Sequence, residues 1–254
     1  MLSQLLRKLL FNLIHLVIYL LVAVQNVHRR YRTKQWFYHE KQVTKSDITL
    51  ILKHVPKDSS KLKHLVVLTD PNCHALSDLA RIVIWSLVAG VPFVSFYDVT
   101  GFLEKQEEKF FLEVEKNKKG VPGCVKWSNK PDLNGYNNGS QSYTVAVNIF
   151  NESHGRETIA QCIEDIAFGR ITCEKSSEEF TATELDSAIS CKYLNIPNPD
   201  LAVYSGPLCC TNGLLPWHIR LTEFIQLSPD NMLSVNNYID ALRKYNKCDQ
   251  RFGK

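Results

Sequence analysis

"HLVVLTDPNCHALSDLARIVIWSLVAGVPFVSFYDV", residues 64–99, decides the fold class. Its first six residues form a short valine-rich run, the mark of a buried strand. "SDLARIVIWSLVAG" (77–90) then spaces its apolar residues as a helix does, with Ser77 as N-cap and Gly90 as the stop. "VPFVSFYDV" (91–99) returns to strand. The pattern continues outward. An amphipathic helix is expected over 102–119, and a Gly/Pro/Asn/Ser-rich loop over 120–142. A third strand follows at 143–150, then helices at 155–171 and 181–194, the latter with a capping-box start at Thr181 or Thr183. Strands at 200–205 and 221–227 and a helix at 234–247 close the chain. This alternation predicts an α/β fold with a mostly parallel central sheet flanked by helices.

N-terminal to that unit the composition changes. "LLFNLIHLVIYLLVAV" (9–24) is apolar apart from Asn12 and His15, with Arg7 and Lys8 before it and "HRRYRTK" (28–34) after it. No small-residue cleavage site follows, which argues against a removed signal peptide. Residues 9–27 either span a bilayer or lie in its interface, and the basic fences favour an anchor. The downstream flank holds four Lys/Arg against two upstream, which places the folded part in the cytosol. Trp36, Phe37 and Tyr38 beside those cations suit the headgroup layer. The expected organisation is an anchor with its basic, aromatic flank (1–40), a linker (41–59) and a folded domain (60–254).

The net charge of +4 is concentrated near the N-terminus, which argues against a general nucleic-acid surface. The eight cysteines form no CxxC pair and no zinc-ligand spacing, so they read as free thiols in a reducing compartment. Dinucleotide, Walker, zinc-protease and nucleophile-elbow motifs are absent. Asp70, in "DPN", sits at the carboxyl end of the first strand, where open α/β sheets bind ligands. It also fits an ordinary turn, and Arg81 is the only cation following that could hold an anion there. His154 reads as an exposed loop histidine. Glu223 could ligate Mg²⁺ or simply cap a segment. Arg251 and Gly253 lie in the closing "CDQRFGK": a lone R-x-G reads first as a solvated tail, and second as an arginine fork and a flexible backbone suited to a phosphate.

"NPDLAVYSGPLCCTNGLLPWHIRLTEF" (198–224) resembles the cis-prenyltransferase family. Catalytic members carry P-D-L-x-I-R-T-G-G-E-x-R-L-S-N-F-x-L-W-Q-x-x-Y-x-E. Pro199, Asp200, Leu201, Gly206, Trp217 and Glu223 match it in register, and Arg251 and Gly253 match the family's C-terminal R-x-G. The resemblance covers roughly residues 60–254. It departs at the chemistry. Tyr204 and Cys210 stand where the family has its diphosphate-binding arginines, Asn212 where it has a serine, and Pro207 and Leu208 where it has a second glycine and an acid. The first-strand D-G-N survives only as "DPN", and the connection into the next strand is shortened.

That combination is similar to the accessory branch, the non-catalytic subunits of dehydrodolichyl diphosphate synthase. The resemblance implies a heteromer with a catalytic cis-prenyltransferase subunit at the endoplasmic reticulum membrane. The pair would extend farnesyl diphosphate with isopentenyl diphosphate in cis, for dolichol synthesis and protein glycosylation. Arg251 and Gly253 would then reach the partner's active site and meet the substrate diphosphate. Mg²⁺ would be held mainly by the partner, with Glu223 keeping a family metal position, and Trp217 would pack in the core or an interface. Two other readings stand beside it: a self-sufficient homodimeric prenyltransferase, and a membrane-tethered receptor or scaffold that reuses the fold.

Overall fold

The computed structural model describes residues 2–36, 40–55, 61–71, 73–128, 130–134, 143–170, 181–192, 196–229 and 233–248. The chain divides into two compact units, 1–46 and 47–254.

The first unit is dominated by α1 (Leu2–Trp36), a single helix of 35 residues. Its stretch Leu6–Gln25 has mean hydropathy 1.9 and no buried residue, and is long and apolar enough to cross a membrane. Within it the His15 Nδ1–H donates to the Phe11 carbonyl at 3.1 Å, so that ring nitrogen is satisfied inside its own helix. α2 (Glu40–His54) begins in this unit and ends in the second. It corrects the expected linker, because 41–54 is helical. Ile48, Ile51 and Val55 recur at helical spacing, and Ile51 is fully buried in the main core. Interleaved Lys45, Asp47 and Lys53 hide that period in the sequence.

In the second unit β1 (His64–Leu68), α3 (Leu76–Ala89) and β2 (Phe93–Tyr97) form the expected βαβ unit. Then come α4 (Phe102–Lys105), α5 (Glu107–Lys118), β3 (Cys124–Trp127), β4 (Leu133–Asn134), β5 (Thr144–Phe150), α6 (Arg156–Ala167), α7 (Ala182–Lys192), β6 (Leu201–Ser205), β7 (Glu223–Ser228) and α8 (Val235–Lys247). The seven strands run in the order β4-β3-β5-β2-β1-β6-β7, and every neighbouring pair is parallel except β3/β4. The chain leaves β1 to one side for β2 and reaches β6 on the other. β1/β6 is therefore the switch point, where open sheets of this kind bind ligands.

Alternate residues of each strand feed two cores. Leu65, Val67, Val94 and Phe96 face α3, α5 and α8, whereas Val66, Tyr97, Phe150 and Ala202 face α6 and α7. On the first face Phe96, Phe110, Phe111 and Trp127 pack edge to face, with centroids 5.0–5.6 Å apart. α3 is buried at ten of its fourteen residues.

Several local expectations change. α3 starts at Leu76 behind Ala75, so Ser77 lies inside the first turn and does not cap. Gly90 does end it, at φ 78°, with Val91 N–H reaching back to the Ser86 carbonyl at 2.9 Å. The helix expected over 102–119 breaks at Gln106 into α4 and α5. The loop expected over 120–142 contains β3 and β4, two strands too short for a periodic signal. Thr181 is the N-cap of α7: Glu184 N–H donates to its Oγ1 at 3.3 Å, and Thr181 N–H donates to the Glu184 carboxylate at 2.7 Å.

Candidate functional site

Loops at the carboxyl ends of β1, β2, β5 and β6 make up the candidate site. After β1, Asp70 opens a closed turn. The N–H groups of Cys73 and His74 both donate to its carbonyl at 2.9 Å, the Cys73 thiol donates to its carboxylate at 3.2 Å, and Asp70 N–H donates to His74 Nδ1 at 3.1 Å. Burial lowers the His74 pKa to about 4, so the ring is neutral and Nδ1 is free to accept. Of the two readings of "DPN", the turn is the one built. Arg81 does not serve an anion here. Its guanidinium lies 2.9 Å from the Asp47 carboxylate and 3.4 Å from Asp78, and stacks 4.9 Å over the Trp85 ring. Trp85 Nε1–H donates to the same Asp47 oxygen at 3.1 Å. The one cation close behind the first strand is thus a buried structural ion.

After β6 the backbone is tightly fixed while the side chains are mostly outside. Gly206, at φ 91°, donates its N–H to the Ser228 carbonyl at 2.7 Å and accepts from Gln226 Nε2 at 2.7 Å. Asn212 sits at φ 46°, and its carbonyl accepts from the Tyr97 hydroxyl at 2.6 Å. A Cβ on Gly155 would lie 2.6 Å from the Gly213 carbonyl oxygen, so the β5 and β6 loops meet backbone to backbone. Tyr204 is half-buried on β6 beside Gln226. Pro207, Cys210 and Asn212 are exposed, and Leu208 is 81% exposed. The Cys210 thiol donates to Asn212 Oδ1 at 2.8 Å. No Lys or Arg occurs between Lys192 and Arg220.

An open cleft of about 850 Å³ lies among the loops after β2, β5 and β6. Lys105 and Arg156 face it, and so do Glu104, Glu152 and Glu157. Two cations against three acids do not neutralise a diphosphate. Neither this cleft nor the buried Asp98 beside it stands out in the amino-acid sequence. The Asp98 carboxylate accepts from Thr100 N–H at 2.9 Å, Thr100 Oγ1 at 2.7 Å and Leu103 N–H at 2.7 Å. Its signal was the D-x-T after a strand, an Asx-turn pattern. His154 is not an exposed loop histidine. It is half-buried, packs on Phe150 and closes a cap with Asn151, and burial lowers its pKa.

Glu223 is not brought to these loops. It opens β7 in register with Leu201 at the start of β6, on the opposite edge of the sheet. Five strand residues separate the two edges, roughly 15 Å. Among the described residues no three His, Cys, Asp or Glu side chains gather as a metal site. With Asp70 facing a thiol and Glu223 at the far edge, the described residues do not fit a magnesium site. Asp200 has a structural task there: its carboxylate accepts from the N–H groups of Lys63 at 2.7 Å and His64 at 2.9 Å and pins the start of β1. Trp217 packs half-buried against the second core and donates to Asp186 at 2.8 Å. Arg251 and Gly253 lie outside the described residues.

No family model matches the chain. The human dehydrodolichyl diphosphate synthase complex subunit NUS1 is 31% identical over 186 residues, covering 71% of this chain and 62% of that protein. The subunit of the same name from Saccharomyces cerevisiae is 28% identical over 239 residues, covering 84% of this chain and 63% of that protein. The chain thus spans less than two thirds of these relatives' length. Among solved structures, lavandulyl diphosphate synthase from Lavandula x intermedia, in complex with dimethylallyl diphosphate, superposes with a TM-score of 0.58 at 14% identity. It covers 78% of this chain and 100% of its own. At that identity the likeness speaks for the fold. Sequence and fold together make the chain a homologue of the NUS1 subunits of dehydrodolichyl diphosphate synthase complexes, carried on a cis-prenyltransferase fold.

Proposed function

We propose that the chain is the non-catalytic but required subunit of a heteromeric cis-prenyltransferase. Its catalytic partner condenses isopentenyl diphosphate onto farnesyl diphosphate, for dolichol and protein glycosylation. One observation carries the reading: the loop after β6 keeps its backbone fixed at Gly206, Asn212 and Gly213 while supplying no cation to a diphosphate. Diphosphate transfer depends on positioning and charge neutralisation. A chain with Tyr204, Pro207, Leu208, Cys210 and Asn212 at these positions leaves that work, and the Mg²⁺, to its partner. Its own contribution is the C-terminal Arg251 and Gly253, reaching the partner's active site in trans. A charge-assisted contact there is worth about 1.5–3 kcal/mol, or roughly 10-fold to 150-fold in rate. α1 tethers the pair to the endoplasmic reticulum with the folded unit in the cytosol, as the heavier basic flank after the span requires.

The test is isopentenyl diphosphate incorporation by membranes holding this chain alone, this chain with a catalytic partner, or the partner with the Arg251→Ala chain. Activity that needs both chains and falls sharply with the substitution, while the complex still assembles, supports the reading. Full activity of the substituted pair reduces the chain to a tether or scaffold. Activity of the chain alone makes it an enzyme in its own right.

A further inference from the structure

The charge of this protein is divided between its two units. Residues 1–46 hold eight Lys/Arg and a single acid, Glu40, a net of +7. Residues 47–254 hold the other 22 Lys/Arg against 25 Asp/Glu, a net of −3. α1 itself has no acid anywhere along its 35 residues. Four of its cations, Arg29, Arg30, Arg32 and Lys34, follow the apolar stretch that ends at Gln25, and the helix runs through them unbroken to Trp36.

That continuity fixes their depth and their distribution. At 1.5 Å per residue, Arg29 stands about 6 Å and Lys34 about 13 Å beyond Gln25. The headgroup layer is roughly 5–7 Å thick on each side of the hydrocarbon. Arg29 and Arg30 therefore fall at phosphate depth, and Arg32 and Lys34 lie within about one Debye length (~8 Å) of it. At about 100° per residue the four positions fall around the axis at roughly 0°, 100°, 300° and 140°. They form a collar and not a stripe. A helix lying flat on a membrane needs one basic face. A collar suits a helix that stands upright among lipids.

We infer that the collar Arg29–Lys34 is a binding site for anionic glycerophospholipid headgroups. It draws negative lipid around the anchor of a folded unit that is itself net negative. The inference rests on α1 crossing a membrane, so insertion is scored separately.

The full chain is reconstituted in phosphatidylcholine vesicles, and resistance to alkaline carbonate extraction establishes insertion. Spin-labelled phosphatidylserine and phosphatidylcholine then report how strongly each lipid is held at the protein surface. The expected result is a preference for phosphatidylserine of about fivefold or more, the attraction of one surface cation. It weakens at molar salt and is lost when Arg29, Arg30, Arg32 and Lys34 are all changed to Gln, while an Arg7→Gln/Lys8→Gln chain keeps most of it. An inserted chain with no preference, or a preference that survives the fourfold change, overturns the inference. So does a collar that binds an RNA homopolymer but not phosphatidylserine. Loss of insertion overturns the anchor reading, and the inference with it, and is told apart from the other failures by the carbonate extraction.

Discussion

The loops after β1 and β6 flank the same switch point and are held in opposite ways. The β1 loop folds on its own polar side chains, with Asp70 at the centre and a buried neutral His74 as acceptor. The β6 loop is held from outside, by the Tyr97 hydroxyl, the Ser228 carbonyl and the backbone at Gly155. Its own side chains face solvent. A ligand-binding sheet edge needs both a fixed backbone and side chains free to bind. Here the β1 loop has spent its side chains and the β6 loop carries no charged ones.

The largest expected effect tests whether Arg81 is spent. Asp47→Ala removes the nearer of the two carboxylates described at its buried guanidinium and should destabilise the fold by about 3–5 kcal/mol in denaturant unfolding. It should not confer activity on the isolated chain, as a released substrate-binding cation would. Next comes acid. His64, held between the Pro197 carbonyl and Ser95 Oγ, and His74 both have pKa values lowered by burial to about 4, against an ordinary 6.5. The unfolded chain then binds protons that the folded chain does not. Their contribution is whole above pH 6.5, declines as pH falls from there through 4, and is flat below. By linkage each costs roughly 2 kcal/mol at about pH 5. A urea series across that range should show the loss, and stability flat from pH 7 to 4 would refute neutral burial.

Gly155→Ala tests the external hold on the β6 loop. The new methyl has backbone in front of it, so one loop must shift, at about 1–3 kcal/mol. A thermal midpoint equal to that of the parent chain would mean the loops are not in contact. The smallest effect is expected at the tip. Leu208→Ser and Cys210→Arg should each change stability by less than about 0.5 kcal/mol. Cys210→Arg alone should leave the isolated chain inactive, because one cation does not rebuild the site. Measurable turnover by that variant would show the β6 loop to be a single substitution from function.

The valine runs and Gly90 made the βαβ unit legible, and the parallel sheet followed from alternation alone. Two strands escaped because β4 has two residues and β3 alternates a lysine with its apolar pair. α2 escaped because charges interrupt its apolar face, and with it went the partner of Arg81, 34 residues upstream. At the site, the missing cations could be read residue by residue. What fixes the backbone could not, since the Tyr97–Asn212 bond joins residues 115 apart in sequence.

The contact between Gly155 and the Gly213 carbonyl has a bearing on how such a chain changes over generations. Shape at this edge is vested in glycines and a tyrosine hydroxyl, charge in wholly different positions. Mutations can strip the second without disturbing the first. In a chain built this way, side chains on this edge can be exchanged one at a time while the fold of the edge stays the same.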